Sequence, residues 1–124
     1  METSPQLLED SLLVIWNDRD AGRRLEAMHH VYASDIVFYE SNDGKPFKGY
    51  EEINSLVEGL QSQWPAEFAF ELTAPSRINH EVQQITWKLG IPGQPPVATG
   101  SDIAIIEAGK IKYLHLLLDN AENQ

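Results

Sequence analysis

Two acids in this sequence stand among apolar neighbours. Glu40 follows Ile36 and Phe38 at alternate positions, and Asp102 belongs to the alternating set Ala98, Gly100, Asp102, Ala104, Ile106. In a strand, alternate residues share a face, so each carboxyl is expected on the apolar side of its strand. A carboxylate there costs several kcal/mol unless it is paired, so it takes up a proton or finds a partner. Two carboxyls in different environments can divide into a base and an acid. That is the chemistry of proton abstraction next to a carbonyl, or of water activation. Each acid also has a structural alternative. Glu40 adjoins Asn42-Asp43-Gly44 and can point into water or cap that turn, while Asp102 can bond to Tyr50 or Arg77.

The histidines carry less. His29 and His30 are adjacent on an expected helix, so their side chains diverge by about 100° and cannot chelate one ion. One is expected to face inward and the other solvent. His29 shares a face with Leu25 and Tyr32, and is either a proton-transfer partner or a satisfied core histidine. His80 falls in a turn and His115 on the outer sheet face. No spacing of ligands marks a metal site. The expected pocket walls are Leu12, Trp16, Phe38, Trp87, Ala104, Leu114 and Leu116, with Trp64 and Phe70 assigned to plain core packing. Gly90 to Pro96, with three prolines, is either a gating rim loop or a rigid connection.

The elements that must position these residues are legible in outline. Ser4-Pro5 suits a helix start, followed by Leu8, Leu12, Ile15 and Trp16 at helical spacing. A second helix is predicted from about Arg23 to Tyr32, forming an αα-hairpin with the first. Ile36 to Ser41 predicts a strand, with Asn42-Asp43-Gly44 as a turn and a short strand through Phe47. Ile53, Leu56, Val57, Leu60 and Trp64 mark a third helix ended by Pro65. Strands follow at about Glu67 to Thr73, Val82 to Leu89, Val97 to Glu107 and Lys110 to Leu118. Helices first and a run of strands afterwards predicts an α+β fold, one domain over residues 1–119 with a loose tail at 120–124. Both faces of the late strands are apolar, where a sheet with one wet face alternates cleanly. One face is expected to cover a pocket and the other to pack on a second copy as a homodimer.

Composition narrows the partners. The 124 residues carry a net charge of −10, which disfavours nucleic acid and anionic membrane surfaces as partners. With no cysteine there is no disulfide, thiol nucleophile or cysteine-held metal. Neither a leader nor a run of roughly 20 apolar residues is seen. The expected location is cytoplasmic.

The order of these features resembles the nuclear transport factor 2-like superfamily in its SnoaL-like branch. The features are two short helices, a strand ending in an acid, Phe47-x-Gly49-Tyr50-Glu51-Glu52-Ile53, Trp64-Pro65, Thr99-Gly100-x-Asp102 and Ala108-Gly109-Lys110-Ile111. The resemblance covers about Leu8 to Asp119. It implies a cone-shaped, strongly curved antiparallel sheet wrapped around helices from the N-terminal half, a deep apolar cavity and frequent homodimers. Members include ketosteroid isomerase, polyketide cyclases, dehydratases and an epoxide hydrolase. Glu40 falls where ketosteroid isomerase keeps its proton-shuttling aspartate, Asp102 at its protonated oxyanion-hole aspartate, and Tyr32 at a supporting tyrosine. The oxyanion-hole tyrosine is replaced by Leu12, which donates no hydrogen bond, and losing one such donor can cost roughly 100- to 1,000-fold in rate. The resemblance therefore implies a different reaction with the same two acids. That is a cofactor-free isomerase, cyclase, dehydratase or hydrolase acting on a small apolar, carbonyl-bearing molecule, with His29 and Tyr32 in support. The alternatives are a hydrophobic-ligand-binding module without turnover and a dimerisation module.

Overall fold

The chain opens with a helix whose geometry changes part-way. The computed structural model describes residues 6–41 and 43–119. The Ser4-Pro5 helix start, Asn42 of the turn and the 120–124 tail lie outside the described residues. Helix α1 (Gln6–Asp10) continues as a π-helical segment (Ser11–Trp16). The wider π turn lets Ser11, Leu12, Ile15 and Trp16 all reach the interior, a broader buried stripe than an α-helix gives. Such turns are frequent at functional sites.

Helix α2 (Ala21–Val31) starts two residues before its predicted position, because Asp20 caps it by accepting the Arg23 backbone N–H at 2.9 Å. Its buried stripe is Arg24, Met28 and Val31; Leu25 packs against the core and Tyr32 is buried, as expected, but the expectation that His29 faces inward is corrected. Tyr32 has left the helix and begins a strand, and His29 and His30 are both exposed. The stripe is turned by Arg24, whose fully buried guanidinium is held on every side. Its Nε donates to Asn54 Oδ1 at 2.6 Å, Nη1 to Gln61 Oε1 at 2.7 Å and the Asp18 carbonyl at 2.8 Å, and Nη2 to Glu58 Oε1 at 2.6 Å. Three of these partners lie on helix α3 (Gly49–Gln61) or its last turn. Ile53 and Val57 of α3 are fully buried, in keeping with its predicted stripe.

Seven strands form one curved, open sheet. They are β1 (Tyr32–Tyr39), β2 (Phe47–Lys48), β3 (Ala69–Leu72), β4 (Arg77–Asn79), β5 (Val82–Gly90), β6 (Ala98–Glu107) and β7 (Lys110–Leu118), and β4 is absent from the sequence reading. The order is β2-β1-β7-β6-β5-β3, with β4 also on β5. The sheet is mixed, which corrects the wholly antiparallel expectation: β1 and β7 pair in parallel. No hairpin joins these two strands, so nothing local imposes an antiparallel register on them. The long β6–β7 hairpin turns through Ala108 and Gly109, with φ of 52° and 78°, the left-handed pair that matches strand twist. Side chains of its inner face, such as Ala104, Ile106, Ile111 and Leu114, pack into one core with Leu8, Met28, Tyr32 and Ile53.

Candidate functional site

The concave face of the sheet, the π-helical segment and the end of α3 enclose a cavity of about 700 Å³. Leu12 and Trp16 enter it from the π turn. Phe38, Glu40 and Ser41 come from the end of β1, Leu60 and Trp64 from α3 and the turn after it, and Phe70 from β3. Trp87 and Leu89 come from β5, Ala98 and Asp102 from β6, and Leu114 and Leu116 from β7. Val97, Leu117 and Leu118, all exposed, complete the lining. Ala104 does not line the cavity, because it lies one step further along β6 than Asp102 and is sealed in the core. Trp64 and Phe70, assigned to core from the sequence, do line it. Nothing in the sequence marked them, since an apolar-face aromatic reads the same whether a cavity or another side chain lies beyond it.

The aromatic wall is continuous. Trp16 meets Phe38 and Phe70 edge-to-face at 5.6 and 6.2 Å between centroids, and Phe70 meets Trp64 at 5.9 Å and Trp87 at 5.2 Å. Edge-to-face contacts fix ring orientation better than aliphatic packing does. Tyr32 stands behind this wall. Its hydroxyl is 2.6 Å from Ser11 Oγ and accepts from Trp16 Nε1 at 3.3 Å. Burial pushes its phenol up to about 12, with the nearby Asp102 carboxyl adding to the rise. It orients Trp16 and does not itself line the cavity. His29 is remote from this arrangement: Nδ1 bonds to the Leu25 carbonyl at 2.9 Å and its ring rests on Tyr50.

Asp102 is the most confined ionisable group at the cavity, with 7% of its surface exposed. Trp87 Nε1 donates to Oδ1 at 3.0 Å. Trp87 pairs with Gly100 across β5–β6, so the indole reaches Asp102 along the diagonal between neighbouring strands. Gly100 makes the reach possible, since a β-carbon there would stand 2.7 Å from Trp87 Cζ2 and 2.9 Å from the Leu117 carbonyl oxygen. Oδ2 takes no hydrogen bond among the described residues and is not sealed, so it is left to the cavity. Tyr50 donates to the Tyr32 carbonyl, and no bond joins it or Arg77 to Asp102. Burial raises the Asp102 carboxyl to about 7, against the lowering effect of the Trp87 N–H.

Register relates the two acids. Asp102 pairs with Leu116 across β6–β7, and Tyr39 pairs with His115 across β7–β1. One residue further, Glu40 falls level with Leu116. Asp102, Leu116 and Glu40 thus make one row across three strands, with the outer two Cα atoms about 10 Å apart. Glu40 is half-buried, lies just beyond the end of β1, and makes no ion pair or hydrogen bond to the described residues. The lining contains no Lys, Arg or His. Among the described residues no three of His, Asp and Glu come together as a metal-sized cluster.

This geometry can be set against known proteins. No family model matches the sequence, and no curated protein matches it. Solved structures match over almost the whole chain. A candidate isomerase of the SnoaL-like family from Agrobacterium tumefaciens superposes with a TM-score of 0.81 at 21% identity, covering 93% of this chain and 96% of that one. A candidate SnoaL-like polyketide cyclase from Jannaschia gives 0.74 at 10% identity, over 96% and 91%. A de novo designed protein with a curved β-sheet gives 0.72 at 13% identity, over 99% and 93%. The chain has the nuclear transport factor 2-like fold, in the form seen in SnoaL-like isomerases, polyketide cyclases and ketosteroid isomerase-like proteins. A fold does not by itself specify a reaction, so function rests on the side chains.

Proposed function

We propose that this chain binds a small apolar molecule in the cavity and moves a proton on it without a cofactor. The reaction class is isomerase, cyclase, dehydratase or hydrolase. The observation that carries this reading is Asp102: a carboxyl buried in an aromatic cavity, one oxygen held by Trp87 and the other free, with its affinity for a proton raised to about neutral pH. A group that titrates near the working pH is the most effective proton carrier. In its ionised form Asp102 takes a proton from a carbon next to an unsaturated centre; the C–H electron pair forms a new double bond to that centre, and the centre's own π pair moves onto its far atom. In its acid form it returns the proton at another atom. Glu40, on the same row across Leu116, is the second carboxyl and can accept or relay that proton. Tyr32 supports the site through Trp16. The candidate isomerase and cyclase among the structural neighbours favour the same class of small-molecule chemistry.

A second reading, binding without turnover, is favoured by one observation: Leu12 faces the cavity, and few hydrogen-bond donors line it. We further propose a homodimer through the outer sheet face, where Ile103, Ile105 and Tyr113 are only half-covered.

The test is a thermal-shift screen with steroids, polyketide-like aromatics, terpenoid epoxides and enones. A ligand at about 100 times its Kd adds about 2.7 kcal/mol, a readily visible shift for a domain of this size. Hits are then followed for product. Turnover that survives Asp102→Asn unchanged removes Asp102 from the mechanism. A hit that is bound and never converted leaves the binding reading.

A further inference from the structure

The cavity offers nothing that would stabilise negative charge as an ion, since its lining has no basic residue. It offers two carboxyls on one row, Asp102 with a free Oδ2 and Glu40 without a partner among the described residues. With both ionised, two like charges share a low-dielectric space lined by five aromatic rings. Asp102 has lost nearly all of its solvent and Glu40 part of it, and no basic side chain in the lining offsets either charge. A single positive charge placed over Leu116 relieves both at once, and aromatic walls accept a cation as well.

Resting on the small-molecule reading above, we infer that the ligand carries a protonated or iminium nitrogen at its reacting end, on an apolar, ring-bearing body, and that anionic molecules are excluded. The nitrogen sits between Asp102 Oδ2 and Glu40, and the body lies against the Trp16–Phe70–Trp87 wall. The chemistry balances without another reagent. Beside an iminium nitrogen, Asp102 takes the proton from the adjacent carbon. The C–H pair becomes a C=C bond, the C=N pair returns to nitrogen, and a neutral enamine results; reversal at another carbon completes an isomerisation. Positive charge also favours the ionised form of Asp102, so affinity is expected to fall as the pH drops below about 7.

The experiment compares three ligands of one shape at pH 8: (2-naphthylmethyl)dimethylammonium, its neutral carbon analogue 2-isobutylnaphthalene, and 2-naphthylacetate. Binding is read from the indole N–H resonances of the three tryptophans, all of which line the cavity. The cation is expected to bind at least about tenfold more tightly than the neutral analogue, equivalent to about 1.4 kcal/mol, and the anion more weakly than either. The preference should shrink at pH 6 in the unaltered protein and collapse in Asp102→Asn and Glu40→Gln. If the neutral analogue binds as tightly as the cation, or the anion binds best, the charge inference is overturned and the small-molecule reading stands. If none of the three moves the indole signals, the charge inference falls, and a flat result in the wider thermal-shift screen would take the small-molecule reading with it.

Discussion

At the scale of single residues, Asp102 sets the terms. Its carboxyl is raised from 3.8 to about 7 by burial. A raised acid holds its proton in the folded state after losing it in the unfolded one. Folded stability is therefore highest below about pH 4 for this group and declines as pH rises toward 7. The ionised form costs on the order of 4 kcal/mol. Asp102→Asn is expected to be as stable as the parent chain or more so at pH 8, and to lose this decline between pH 4 and 7. Urea unfolding at pH 5 and pH 8 measures both, and a large loss of stability at pH 8 would make the residue a structural one. The position of Asp102 on the apolar side of β6 was legible from alternation alone. Its partner was not, because Trp87 is fifteen residues away and only register brings the two side chains together. His29 failed for a related reason: helical spacing gives a stripe, but the buried, fully bonded Arg24 turned that stripe away from it.

At the scale of elements, the β5–β6 pair aims the site. Gly100 has ordinary strand conformation and is needed for space, since the Trp87 ring lies where its side chain would be. Gly100→Ala is expected to cost about 1–3 kcal/mol, as overpacked sites do, and to displace the Trp87 indole from Asp102. Gly59→Ala on the exposed side of α3, with nothing within 4 Å of the new carbon, is the matching control and should gain about 0.5–1 kcal/mol. Denaturant midpoints and the Trp87 N–H resonance separate the two effects; an unmoved resonance in Gly100→Ala would deny the glycine its positioning role. Most elements could be read from the sequence, since strong periodicity marked α3 and the three long strands. The π turn, β4 and the parallel β1–β7 pair could not. The first is a hydrogen-bonding detail within one apolar stripe, the second only three residues long, and the third a pairing between distant segments that leaves no local trace.

At the scale of the whole molecule, the sheet has two faces with different duties. The concave face covers the cavity, and the convex face of β6 and β7 carries half-covered Ile103, Ile105 and Tyr113. If that face meets its own copy, sedimentation equilibrium at micromolar concentration should give twice the mass of the chain, and Ile105→Lys should return it to one. A single-chain mass for the unaltered protein would set the dimer aside. The curved-sheet class followed from helices preceding a run of strands. A cavity was expected from two-sided apolar strands and family resemblance, while the charge pattern of its lining needed the folded strands as a set.

Strand β7 also has a bearing on time. It lies between β6 and β1, and it alone links the β1–β2 pair to the rest of the sheet. The β6–β7 hairpin can close early through its short turn, but β1 meets β7 only after the loop from residue 40 to residue 116 has been gathered, a slow step for any chain. Until that strand is seated, Glu40 and Asp102 belong to separate pieces of protein. Contact order thus predicts that the two acids come together late in folding, and a chain whose β1 is not yet seated carries Asp102 without Glu40 beside it.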